Sequence, residues 1–183
     1  MIILASASPR RKELLSRIVP DYECIPSGCE EFVPEGTPAQ EVPRLLAEQK
    51  ALAVAKDHPD DLVIGSDTVV VLNGTIFGKP KDMADAHRML RSLSGQKHFV
   101  CTGVAVAEKG SVRSFLQKTE VEFYPLSEET IDAYIATGEP MDKAGAYGIQ
   151  GKGAVLVKGI VGDYFNVMGF PVAETARFLG LIR

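Results

Sequence analysis

The first thirteen residues constrain the fold more than any other stretch. Ile2-Ile3-Leu4-Ala5 is a short apolar run, and Ser6-Ala7-Ser8-Pro9-Arg10-Arg11-Lys12-Glu13 follows with no spacer. The run reads as a buried strand. Ser8 is placed to cap a helix, and Pro9 fits the first helical position because the amide it lacks would have had no helical partner. Leu14, Leu15 and Ile18 give that helix an apolar face. Its charges run against this reading. Arg10, Arg11 and Lys12 cluster at the positive end of the helix dipole, where a cation is disfavoured by ~0.3–1 kcal/mol. A strand–turn–helix start also exposes bare amides to an anion, and arginine adds paired donors that match phosphate oxygens. The cations make sense if a phosphate group sits in the turn; a solvated basic first turn is the plainer alternative.

With 183 residues, 45% of them hydrophobic, the chain suits one domain of at most two lobes. A net charge of −4 excludes a general basic surface for nucleic acid, so any cationic site must be local. The three cysteines, at 24, 29 and 101, form neither a CxxC pair nor a disulfide framework, which points to a reducing compartment. The apolar start is too short for a signal peptide or a membrane span, and a cytoplasmic location is expected.

Further along, Tyr22 to Ile25 reads as a strand. Thr37-Pro38-Ala39-Gln40 has capping-box spacing, Pro43 offers a second helix start, and Leu45, Leu46, Leu52 and Ala53 set a helical stripe to about Lys56. Leu62 to Gly65 and Val69 to Leu72 are strand-like, and Asn73-Gly74 is the strongest short hairpin signal. Helices capped by Asp82 and Ser127 flank a second hairpin from Phe99 to Phe123, in which Thr119, Val121 and Phe123 alternate with glutamates. Gly138 to Gly153 is too long and glycine-rich for a simple connector. Ala154 to Val161 and Tyr164 to Met168 read as a third hairpin, and Pro171 opens the last helix. Strands and helices mix without strict alternation, so an α/β fold with a mixed sheet is expected.

Three polar residues interrupt apolar patterns. Asp67 lies between Ile64 and Val69, where a carboxylate is disfavoured and costly to desolvate unless a cation compensates it. Lys50 falls near the apolar stripe of its helix, and Lys79 sits in the turn Gly78-Lys79-Pro80. Taken singly, either lysine reads as solvent-exposed. As a set, Arg10, Arg11, Lys50 and Lys79 could hold a polyphosphate, while Asp67 with Glu31 or Glu30 could bind a divalent ion. Hard oxygen ligands and scattered histidines favour Mg²⁺ or Mn²⁺ over zinc. No P-loop or dinucleotide fingerprint is present.

Ser6-Ala7-Ser8-Pro9-Arg10-Arg11, Glu31, Lys50, Gly65-Ser66-Asp67-Thr68, Gly78-Lys79-Pro80 and the stretch from Asp142 to Gly151 (DKAGAYGIQG) together resemble the Maf family of nucleoside triphosphate pyrophosphatases. The likeness runs from about Leu4 to the last helix, and DKAGAYGIQG is similar to the subgroup acting on dTTP and UTP. It implies cleavage between the α and β phosphorus atoms of dTTP, UTP and modified pyrimidine nucleotides, with release of pyrophosphate. It also implies a single domain over 1–183 of the inosine triphosphatase type, with an elongated, twisted mixed sheet flanked by helices and two lobes around a central cleft. Asp67 is then the expected water-activating base. Arg10, Thr68 and Gln150 match positions linked to substrate choice, and Ser6, Arg11, Glu31, Lys50 and Lys79 match other site positions. Glu31 and Asp67 are the expected metal ligands. A non-catalytic nucleotide-binding regulator of septum formation is the alternative. Neither membrane nor stable nucleic-acid binding is expected; the oligomeric state stays open, a homodimer being one option.

Overall fold

The computed structural model describes residues 1–182. Its strands are β1 (Ile2–Leu4), β2 (Glu23–Cys24), β3 (Leu62–Leu72), β4 (Thr75–Phe77), β5 (Lys97–Glu108), β6 (Ser111–Phe123) and β7 (Val157–Val161). Its helices are α1 (Pro9–Leu15), α2 (Val42–Ala55), α3 (Met83–Leu93), α4 (Glu128–Ile135), α5 (Tyr164–Met168) and α6 (Val172–Phe178). The strands form one seven-stranded sheet in the order β2-β1-β3-β5-β6-β7, with β4 paired to β3. β1 runs parallel to β2 and β3, whereas β4 against β3 and β7 against β6 are antiparallel. The expected mixed α/β sheet is therefore present.

Local chemistry explains most of these elements. Ser8 caps α1 by accepting the Arg11 amide, with Pro9 opening the helix. Asp82 and Ser127 cap α3 and α4 by accepting the amides of Asp85 and Thr130. Asn73-Gly74 and Lys109-Gly110 each pair two residues at positive φ, the backbone that a two-residue hairpin turn requires. On β6, Thr119, Val121 and Phe123 are buried while Glu120 and Glu122 are half-exposed.

Three readings need correction. The Thr37 capping box is not used: its hydroxyl donates to the Pro34 carbonyl at 2.7 Å, and α2 starts at Val42 with Pro43 in its first turn. The buried face of α2 is Leu46, Ala47, Ala51 and Val54, while Leu52 is exposed, because the helix needs small residues where it meets the sheet. The third hairpin does not form: residues 152–156 make a 3-10 turn before β7, and Tyr164–Met168 is helical. Asp163 Oδ1 accepts the Phe165 amide at 2.8 Å, and the Asn166 amide donates to the Val100 carbonyl and Thr119 Oγ1. These polar partners override the strand propensity of the run.

The residues group into two compact units. The first holds Met1–Thr68, Thr102–Gln117 and the chain from Gly169 on; the second holds Val69–Cys101 and Lys118–Met168. A core of Ile3, Ala5, Ala47, Ala51, Val54, Val63, Ala105 and Ala107 lies in the first. In the second, Leu90, Leu93, Phe123, Ile131, Tyr147 and Leu156 are the centre of the core.

Candidate active site

In the first unit, two glycines decide where the charged side chains meet. A Cβ at Gly65 would lie 2.2 Å from the Ala47 carbonyl oxygen and 2.7 Å from the Ala51 nitrogen; at Gly103 it would lie 2.3 Å from the Pro43 carbonyl oxygen. Helix α2 therefore rests directly on strand backbone, with Ala47 and Ala51 fully buried beneath it. Lys50 follows one helical turn from Ala47, and Asp67 lies two residues beyond Gly65 on the same face of β3. The Lys50 ammonium reaches Asp67 Oδ1 at 2.6 Å and Glu31 Oε1 at 2.9 Å. The side chains of Lys50 and Asp67 are each 15% exposed, against 47% for Glu31, so the pair is largely screened from water while its third member is not. Such a placement explains the lysine on an apolar stripe and the acid inside a strand, since each compensates the other.

Glu31 comes from a stretch without helix or strand, and Gln49 fixes that stretch. Its amide accepts the Phe32 N–H at 2.9 Å and donates to the Phe32 carbonyl at 2.6 Å. Consecutive residues of α2 thus grip the same segment, Lys50 by charge and Gln49 by backbone. The side chain of Phe32 is left 69% exposed.

Strand alternation places Thr68 on the face opposite Asp67. There Arg11 donates from Nη2 to Thr68 Oγ1 at 3.0 Å and from Nε to the Gly169 carbonyl at 3.1 Å. Thr68 Oγ1 also lies 3.0 Å from Thr102 Oγ1. Burial pulls the Arg11 guanidinium below its ordinary pKa, an effect that Asp67 opposes and Arg10 reinforces. The basic first turn of α1 is thus partly structural, because Arg11 ties it to the middle of β3 and to the backbone at Gly169. Ser6 is buried, and its hydroxyl accepts the Ser8 amide at 3.1 Å, shaping the turn before α1. Arg10 is half-buried in the same turn. The Ser66 hydroxyl is fully buried and has no hydrogen-bond partner.

The remaining expected residues, Lys79 and Gln150, belong to the second unit, where both are exposed. The Gly145 amide donates to the Gly78 carbonyl at 3.0 Å, so the turn carrying Lys79 is tied to the glycine-rich segment that carries Gln150. Gly145 itself has φ +70, and a Cβ there would meet Val70 at 2.8 Å. Beneath this segment the His98 ring nitrogen Nε2 lies 2.7 Å from the Tyr147 hydroxyl, and Phe123 packs edge-on to both rings.

The first unit thus brings together Glu31, Lys50 and Asp67 in one cluster and Ser6, Arg10, Arg11 and Thr68 around another. Gln49, Thr102 and the Gly169 carbonyl were not expected, because their roles depend on contacts between distant parts of the chain. Among the described residues, no group of three or more His, Cys, Asp or Glu is arranged to hold a metal ion. Two carboxylates converging on one cation nevertheless suit Mg²⁺, which commonly takes one or two protein carboxylates and completes its shell with water and phosphate oxygens.

The family described as Maf-like protein matches residues 1–182. The chain is 52% identical over 178 residues to the dTTP/UTP pyrophosphatase of Bacillus velezensis, covering 97% of this chain and 94% of that one. It is 50% identical over 177 residues to the dTTP/UTP pyrophosphatase of Bacillus cytotoxicus, covering 97% and 93%. Among solved structures it is similar to the Staphylococcus aureus Ham1 protein, with a TM-score of 0.57 and 18% identity over 98% of this chain and 97% of that one. A HAM1 protein from Coxiella burnetii also gives a TM-score of 0.57, at 16% identity over 99% and 98%. These neighbours bear out the inosine triphosphatase-like fold.

Proposed function

Because the chain belongs to the Maf family, we propose that it is a nucleoside triphosphate pyrophosphatase acting on dTTP and UTP, as its curated relatives are named. The observation that carries this reading is the Lys50 ammonium held between Asp67 and Glu31 at 2.6 and 2.9 Å. A largely screened acid beside a fixed cation is what water activation next to a phosphate needs.

In this reading a water attacks the α phosphorus and pyrophosphate leaves. Lys50 holds Asp67 Oδ1, which leaves Oδ2 as the oxygen to take the proton of the attacking water. Arg11 spends Nε and Nη2 on the protein, and Nη1 is the nitrogen left to meet phosphate charge. Glu31 and Asp67 would hold Mg²⁺ or Mn²⁺, which when bound neutralises phosphate charge and lowers the pKa of a bound water. For the second unit the family match, more than geometry, supports the roles: Lys79 on phosphate charge, and Gln150 on the pyrimidine edge, where an amide both donates and accepts. Modified pyrimidine nucleotides carry the same edge and fall within the same substrate class.

Purified protein incubated with dTTP or UTP and Mg²⁺ should release pyrophosphate and the monophosphate. Tight nucleotide binding without turnover would favour the regulator instead. Gln150→Ala should weaken discrimination between dTTP and dGTP more than it slows dTTP hydrolysis; an unchanged preference would remove Gln150 from base reading.

A further inference from the structure

The turn that carries Gln150 is fastened on both sides to a pair of residues that the proposed chemistry does not use. Upstream of Gln150, the Gly148 amide donates to the Tyr134 hydroxyl at 3.0 Å. Downstream, the amides of Lys152 and Gly153 donate to Glu139 Oε2 and Oε1 at 2.9 and 3.0 Å. Tyr134 in turn donates its own proton to Glu139 Oε1 at 2.8 Å, so one carboxylate and one phenol close the ring of contacts. The glycines fit around that pair. A Cβ at Gly151 would lie 2.4 Å from Glu139 Oε2, and one at Gly153 would lie 2.7 Å from the Tyr134 oxygen. Gly148 is crowded by the Lys143 stem, whose ammonium is held by the Glu139 carbonyl at 2.9 Å.

The charge state of Glu139 suits the task. Burial alone would raise its pKa, but the amides of Gly153 and Lys152 and the Tyr134 hydroxyl outweigh that and leave it below the ordinary carboxylate range. Tyr134 is nearly fully buried on α4, a regular helix, so the brace is anchored to a rigid element. Gln150 itself is exposed at the tip.

We propose that Glu139 and Tyr134 are positioning residues for Gln150 and set how sharply the enzyme prefers pyrimidine over purine triphosphates. The inference rests on the reading of Gln150 as the base-contacting residue. An amide discriminates by direction as well as by presence. A turn free to swing offers its donor and acceptor to either kind of base.

The test compares kcat/KM for dTTP and dGTP in the native protein, Gln150→Ala, Tyr134→Phe, Glu139→Gln and the double variant Gln150→Ala/Tyr134→Phe. Tyr134→Phe keeps the ring and removes only the hydroxyl, and with it both the bond from the Gly148 amide and the bond to Glu139; the dTTP-to-dGTP ratio should fall about fivefold, the size of the one neutral bond that holds the turn directly. The fall should come from KM for dTTP, with kcat within about twofold. Glu139→Gln keeps the shape and loses a charged acceptor, and its ratio should fall about tenfold. On the Gln150→Ala background, Tyr134→Phe should change the ratio by less than about twofold. Amide hydrogen exchange supplies a measurement independent of activity: Gly148 should exchange faster in Tyr134→Phe. A ratio that moves in Gln150→Ala but not in Tyr134→Phe, effects that add in the double variant, or unchanged Gly148 exchange would each overturn the brace. A ratio unmoved in Gln150→Ala overturns the base reading, and the brace falls with it.

Discussion

The Lys50 cluster of the first unit and the Gln150 turn of the second are held in opposite ways. Around Lys50, regular elements set the geometry and side chains meet because helix and strand backbones already touch: Gly65 admits α2, and Lys50 then reaches Asp67. Around Gln150 no strand or α-helix carries the residue. Backbone amides are fastened to the ends of two side chains, Glu139 and Tyr134. The first arrangement resists change through packed backbone, the second through a few hydrogen bonds. Damage to the first should therefore show in both stability and turnover, and damage to the second mainly in selectivity.

The sharpest separation should come from Asp67→Asn. Removing the proposed base should reduce pyrophosphate release by about 10³-fold or more while nucleotide binding, followed by calorimetry, persists. Retained turnover would take Asp67 out of that role. Next in size is Gly65→Ala. The added methyl meets Ala47 and Ala51 backbone, so the variant should lose about 1–3 kcal/mol in urea unfolding and much of its activity as Lys50 is lifted from Asp67. A variant as stable and active as the native protein would show that α2 does not need this contact.

A smaller effect tests the second unit alone. Burial pushes the His98 pKa down to about 4 from the ordinary 6.5. The unfolded chain therefore binds the proton more readily. Stability should be full above the ordinary value and fall as pH drops through 6.5 toward 4. Between about pH 7 and about pH 5.5, before most carboxylates titrate, the loss should be about 1 kcal/mol, and His98→Gln should flatten it. An equal slope in the variant would assign the dependence to other groups. The smallest change in stability is expected for Gly151→Ala. Its new methyl meets the movable end of Glu139 and not backbone, so unfolding should shift by less than about 1 kcal/mol while the dTTP preference weakens. A large loss of stability there would erase the contrast with Gly65.

The same contrast governs what could be read from the sequence. Ser8, Asp82 and Ser127 act locally on the next turn, and Asn73-Gly74 and Lys109-Gly110 act on themselves, so caps and hairpins were legible. Asp67 and Lys50 stood out because a charge broke an apolar period. Gln49, Thr102 and the Gly169 carbonyl broke no pattern, since their partners lie far off in the chain. Glu139 also looked ordinary: an acid after a helix, before a proline. Only the folded turn shows three donors converging on its carboxylate. Tyr164–Met168 misled for a related reason, since its strand-like residues turn helical where Asp163 and Asn166 find polar partners.

Helix α2 lies on its strands with nothing but hydrogen atoms between the two backbones at Gly65 and Gly103. Its height is consequently a property of the peptide itself, not of any side chain that mutation could trim. The lysine head, which touches both acids at once, would give up either one to an incoming anion by swivelling about its own methylenes, with the helix left where it is.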